Sequence, residues 1–162
     1  MNYVIIGNSA AAVGCVEGIR SVDRTGPVTV ISDEPYSVYS RPLISYRIGG
    51  KVTDEKMRYR PKSFYADNAV TPLLGKAAVQ VDDNRKQVVL DGGETVPFDR
   101  LLFATGSRPF QPPMPGIEQV KHKFNFYETG RCEGSGRRPY ARQPGSDSRR
   151  WADWPEMRRR DS

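Results

Sequence analysis

The sequence predicts an α/β fold in which a parallel sheet is joined to a small antiparallel β-meander. Three observations carry that expectation. The apolar run NYVII at 2–6 is followed by the small-residue stretch SAAAVGCVEGIRSV and then by a second apolar run, PVTVIS, at 27–32. From Leu73 onward the apolar residues come in short segments divided by Asp83-Asn84 and Asp91-Gly92-Gly93. A last apolar run, RLLFATG at 100–106, ends in small residues.

Each element has its own warrant. NYVII is β-rich and lacks polar alternation, as strands covered on both faces do. Val13, Val16 and Ile19 recur at near-helical spacing behind it. Strand, tight turn, helix and strand within about thirty residues make a βαβ unit, which requires parallel strands. Glu34 to Tyr46, rich in Pro and Tyr, reads as a loop, with helix expected around Asp54 to Met57 and Lys62 to Asn68. LLGKAAVQV, KQVVL and TVPF read as the strands of the meander, because the Asp-Asn and Asp-Gly-Gly stretches between them are turn chemistry. RLLFATG returns to a buried strand, and RPFQPPMPG is a loop.

At 162 residues the chain is long enough for one ordinary domain with a core. Its formal charge of +6 raises the question of a nucleic-acid partner. Residues 1–126 carry 16 Lys and Arg against 13 Asp and Glu, a net of +3, so the body is only mildly basic and the remaining excess lies in the last 36 residues. Cys15 and Cys132 stand far apart without metal-ligand spacing, so neither a disulfide framework nor a metal site is indicated, and a reducing cytoplasm fits. Met1 leads directly into a strand-like run, which gives no signal peptide, and no apolar run approaches the roughly 18 residues of a membrane helix.

The stretch VIIGNSAAAVG at 4–14 holds the most specific chemistry. A phosphate cradle needs backbone N–H groups at a helix N-terminus and a chain thin enough for the anion to approach. Gly7 supplies the tight turn, Ser9 stands where glycine usually permits closest approach, and Ala12 stands where a small residue lets the helix pack on the strand. Alone, the pattern reads first as small-residue packing; its place between a strand and a helix is what the mechanism demands. The second strand ends at Asp33-Glu34, where a carboxylate can hold a ribose through its hydroxyls.

Together with DEPYSVYSRPLIS, LLGKAAVQV and LLFATGSRP, in this order and spacing, these residues resemble the N-terminal FAD-binding half of the pyridine nucleotide-disulfide oxidoreductase superfamily. The resemblance is to its NADH oxidase, nitrite reductase and rubredoxin or ferredoxin reductase branch, and it covers residues 2–126. It implies a Rossmann-like FAD-binding domain, incomplete at the C-terminus, and an FAD-dependent NAD(P)H oxidoreductase with NAD(P)H as co-substrate. By the same resemblance Gly7, Asn8, Ser9, Ala10, Ala11 and Ala12 cradle the FAD pyrophosphate, and Asp33 or Glu34 holds the adenosine ribose. Arg41 and Pro42 lie by the flavin, Val79 meets the adenine through its backbone, and Ala104, Thr105 and Gly106 close over the cofactor. Plainer readings make Arg41 a surface cation, Val79 meander core, and Ala104 to Gly106 a strand-ending turn.

Thiol-using members of that superfamily carry a redox cysteine near the position where this chain reads Arg41-Pro42-Leu43. With none there, and with Cys15 read as a small core residue, a thiol mechanism is disfavoured. The implied scheme takes hydride from NAD(P)H to the flavin and passes electrons to an iron-sulfur, rubredoxin-type or similar acceptor. The cofactor carries that chemistry, so no catalytic acid or base is assigned, and His122 reads as surface chemistry.

Residues 127–162 hold nine Arg, no Lys, six acids, both tryptophans and no Leu, Ile, Val or Phe. Such a segment builds no core and is expected to be disordered. Binding to a polyanion is the functional alternative, giving a non-catalytic nucleotide-binding protein with a polyanion-binding tail. Read one base later, the Trp codons of WADWPEM force two glycines three positions apart, and permitted codons for 148–160 spell VGAGLIGLKCAEG. The segment therefore reads as out-of-frame translation of a gene that continues into an NAD(P)H-binding domain, and the truncated product is expected to bind FAD weakly or not at all.

Overall fold

The computed structural model describes residues 1–108, 110 and 112–119. His122, Cys132 and the Arg-rich segment 127–162 lie outside the described residues. The chain begins with strand β1 (Tyr3–Ile6), helix α1 (Ala10–Val22) and strand β2 (Val28–Ser32). A 3-10 turn at Arg41–Leu43 then runs into α2 (Ile44–Ile48), followed by α3 (Asp54–Met57), α4 (Phe64–Asp67) and β3 (Val70–Leu74). Strands β4 (Ala78–Asp82), β5 (Gln87–Leu90), β6 (Thr95–Pro97) and β7 (Arg100–Phe103) complete the described sheets.

β1 is parallel to β2 on one side, with Tyr3 opposite Val28, and to β7 on the other, with Tyr3 opposite Arg100. β3 extends the sheet beyond β2, so the order is β3-β2-β1-β7. β4, β5 and β6 pair antiparallel in a second sheet. Side chains alternate faces along a strand, and the core divides accordingly. Ile5, Val28 and Val30 pack with Ala12, Val13 and Val16 of α1 and with Val38, Phe64 and Val70. Val4, Ile6 and Ile31 pack on the other face with Val88, Leu90 and Phe98 of the meander. The meander and α1 thus cover opposite faces of the parallel sheet, which is why NYVII shows no polar alternation.

Two elements differ from the sequence reading. LLGKAAVQV is divided: Leu73 and Leu74 end β3 in the parallel sheet, and the meander starts at Ala78. The break falls at Gly75, whose φ of 74° turns the chain while its N–H donates to the Glu34 carbonyl at 3.2 Å. The expected loop from Glu34 to Tyr46 contains the 3-10 turn and the start of α2, with Pro42 in the first turn, where its missing N–H costs nothing.

Two charged side chains tie the far end of α1. Arg20 donates to the carbonyls of Asn68 (2.6 Å), Asp23 and Gly26 (both 2.9 Å) and Ala69 (3.2 Å), joining α1, the approach to β2 and the turn before β3. Asp23 accepts from the N–H groups of Gly26 and Thr25 and from the Tyr3 hydroxyl. Those backbone donors hold its carboxyl below the ordinary carboxylate value.

At the opposite end, the chain leaving β1 passes against the chain leaving β7. A Cβ at Gly7 would overlap the Ala104 carbonyl, 2.6 Å from its carbon, and the φ of Gly7 is +116°. Glycine is required there on both counts.

Three outcomes follow from these contacts. Arg20→Ala will cost about 2 kcal/mol in denaturant unfolding, and Arg20→Lys will not restore it, because a point charge cannot serve carbonyls lying in several directions. The stability contributed by Asp23 is fully present above the ordinary carboxylate range and is lost as pH falls through its depressed value; Asp23→Asn will flatten the acid limb of the stability profile. Gly7→Ala will abolish soluble folded protein, whereas Gly14→Ala, with nothing within 4 Å of the added carbon, will raise stability by about 0.5–1 kcal/mol.

Candidate functional site

β1 lies between β2, which follows it directly, and β7, which returns to its other side only after the meander. In open parallel sheets a crevice forms at the carboxyl ends of the strands where the order reverses in this way. Three short segments gather there: Gly7 to Ser9 after β1, Asp33-Glu34 after β2, and Ala104 to Gly106 after β7. The Gly7 N–H donates to Ile31 O at 2.8 Å and the Ala104 N–H to Ile6 O at 2.7 Å. Both amides therefore extend the sheet, and Gly7 contributes clearance rather than a donor.

The donors come one turn later. Ser9 is the N-cap of α1 in extended conformation, and its side chain makes no capping hydrogen bond. The first intrahelical bond runs from Val13 N–H to Ser9 O at 3.0 Å, so the amides of Ala10, Ala11 and Ala12 lie ahead of it. Ala12 is buried against the sheet while Ala10 and Ala11 are exposed, and the first turn carries no acidic residue. A helix start with free amides and no competing carboxylate favours an anion.

Asn8, between Gly7 and Ser9, acts through its side chain. Its Nδ2 donates to the Tyr36 carbonyl at 3.1 Å, and its Oδ1 accepts from the Tyr65 hydroxyl at 2.9 Å. The same hydroxyl accepts from Val38 N–H at 3.1 Å. Tyr65 was not among the site residues expected from sequence. It sits 57 residues away on α4, and no local pattern signals the link.

Of the two candidate acids, Asp33 is exposed and Glu34 half-buried. Glu34 pairs with Arg41 at 2.8 Å, and the Arg41 guanidinium stacks 5.3 Å from the ring centroid of Tyr39. Arg41 is thus a partner of the carboxylate at the end of β2, not a surface cation, while Pro42 beside it is exposed. A concavity of about 230 Å³ opens next to this loop, lined by Tyr36, Ser37, Tyr39, Arg47, Asp54, Met57 and Arg58.

Val79 is 62% exposed, so it is not meander core. The β4–β5 register shifts between Ala78 and Gln80, which makes Val79 the extra residue of a bulge. A bulged residue leaves its backbone groups outside the ladder and able to meet another group. Thr105 and Gly106 are exposed, with Gly106 at a φ of 70°. Cys15 packs against the core on α1, and burial pushes its thiol up, away from the reactive thiolate.

The chain matches the family model described as pyridine nucleotide-disulphide oxidoreductase over residues 1–135. It is 35% identical over 122 residues to the NADH-dependent phenylglyoxylate dehydrogenase subunit epsilon of Aromatoleum evansii, covering 74% of this chain and 28% of that one. It is 31% identical over 127 residues to putidaredoxin reductase of Pseudomonas putida, covering 78% of this chain and 30% of that one. Among solved structures it is similar to the covalent putidaredoxin reductase-putidaredoxin complex, at TM-score 0.63 and 31% identity, covering 70% of this chain and 27% of that one. It shares its fold with NADH:rubredoxin oxidoreductase from Clostridium acetobutylicum, at TM-score 0.68 and 22% identity, covering 80% of this chain and 33% of that one. The chain spans less than a third of the length of the two curated relatives. With the parallel sheet, the helix start at its switch point and this match together, the chain belongs to the pyridine nucleotide-disulphide oxidoreductase family.

Proposed function

We propose that this chain is the adenosine- and diphosphate-holding part of an FAD-dependent NAD(P)H oxidoreductase that passes electrons to an iron-sulfur, rubredoxin-type or similar acceptor in the cytoplasm. The observation that carries the reading is the start of α1, whose leading amides lie at the carboxyl edge of the parallel sheet without a side-chain cap. The residues present fit the group: clearance at Gly7, donors at Ala10 to Ala12, a carboxylate at Glu34 and a bulged backbone at Val79. Asn8 orients the loop, Ser9 adds a hydroxyl to the cradle, Arg41 and Pro42 flank the cofactor, and Ala104, Thr105 and Gly106 form its far wall. Asp33, exposed, is the weaker of the two ribose candidates.

When bound, FAD supplies the conversion between hydride and single-electron chemistry, and the protein supplies placement and electrostatics. The names of similar proteins, a putidaredoxin reductase and its covalent complex with putidaredoxin, favour a small redox protein as acceptor. No helix among the described residues is long and apolar enough to cross a membrane. The nicotinamide site belongs, on this reading, to the part of the relatives beyond the matched length. Strand β7, at the edge of the sheet among the described residues and with Leu102 and Phe103 exposed, favours a sheet that another segment completes. The Lys-free composition of 127–162 favours out-of-frame translation of that segment, which sequencing the gene across codon 126 tests; an uninterrupted frame in independent reads excludes it.

Titration of FAD into the full chain, followed by flavin fluorescence, tests the dinucleotide reading. Saturable quenching is expected, with Glu34→Gln weakening it about tenfold through a lost charged hydrogen bond and Asp33→Asn leaving it unchanged. Absence of saturable quenching, or equal losses in the two variants, overturns the reading or its assignment of the ribose acid, respectively.

A further inference from the structure

The hydrogen bonds around Asn8 form a relay in which every link has one possible polarity. The Val38 N–H can only donate, so the Tyr65 oxygen accepts, and the hydroxyl hydrogen goes to Asn8 Oδ1. That fixes the amide of Asn8 with Nδ2 toward the Tyr36 carbonyl, which can only accept. Asn8 and Tyr65 thereby grip the segment after β2 at two points, residues 36 and 38, on either side of Ser37. Glu34 lies just before this grip and Arg41 just after it. The remote face of the segment is held independently, by Ser40 N–H to Met57 O at 2.7 Å and Tyr59 N–H to Val38 O at 3.2 Å. Tyr65 is itself held, with its ring edge-on to Phe64 at 5.5 Å between centroids and packed against the core.

We propose that Tyr65 is a positioning residue for the dinucleotide: acting through Asn8, its hydroxyl sets the separation between the helix start that faces the diphosphate and the segment carrying Glu34 and Arg41. This rests on the dinucleotide reading and deepens it. A dinucleotide contacts both sides of that gap, so its affinity depends on the gap being set before binding. A bare diphosphate contacts only the helix start and is indifferent to it.

The test compares ADP with inorganic pyrophosphate as probes on the full chain, alongside hydrogen exchange at the Val38 amide without ligand. Tyr65→Phe is expected to speed Val38 exchange, weaken ADP about fivefold, the worth of one net hydrogen bond, and leave pyrophosphate unchanged. Phe64→Leu, which loosens packing on the same helix, is expected to lower the unfolding midpoint without separating the two probes. Equal weakening of ADP and pyrophosphate in Tyr65→Phe, or unchanged Val38 exchange, overturns the proposal. A wild-type chain that binds neither probe overturns the dinucleotide reading and with it the positioning role, whereas Val38 exchange still shows whether the grip exists.

Discussion

The approach of one backbone to another, Gly7 against the carbonyl of Ala104, is the constraint from which the arrangement at the sheet edge follows. It sets the chain leaving β1 beside the chain leaving β7, so that two loops from opposite halves of the sequence share one crevice. Because the Gly7 amide is committed to Ile31, the turn cannot relax outward without giving up a rung of the sheet. The helix start is consequently delivered to the edge with its amides turned away from the strands. A side chain at this one position would dismantle the shared edge rather than merely crowd it.

Around that contact the polar groups divide the work. The helix start offers partial positive charge without a competing acid. The carboxylate of Glu34 is balanced by Arg41, and the guanidinium is steadied over Tyr39, so charge of both signs is held in place by local partners. Asn8 carries no charge and connects the two regions. A neutral amide can donate and accept at once, which a carboxylate or an ammonium in its place could not do.

Much of the fold was legible from the sequence because it is written in local periodicity. The unalternating run at 2–6, the helical spacing of Val13, Val16 and Ile19, and the turn residues of the meander all state their structure within a few residues. The division of LLGKAAVQV was hidden because Leu73 and Leu74 satisfy either sheet; the deciding events are the positive φ at Gly75 and its bond to Glu34, and the second is nonlocal. Gly7 and Ala12 could be read from steric need: a Cβ at Gly7 would overlap the Ala104 carbonyl, and Ala12 is buried against the sheet. The pairing of Glu34 with Arg41 and the reach of Tyr65 to Asn8 could not, since each depends on which loops tertiary packing brings together. Val79 shows the opposite failure, in which an apolar residue in a strand pattern suggests burial although a bulge turns it outward.

The open margin at β7 has a bearing on how the polypeptide behaves outside a test tube. Leu102 and Phe103 stand beside a row of backbone groups that no neighbouring strand engages among the described residues. A rim that is greasy and hydrogen-bond hungry is adhesive, and it recruits whatever extended peptide it meets first. Left bare, such an edge is a template for pairing with another chain, and covering it removes that liability.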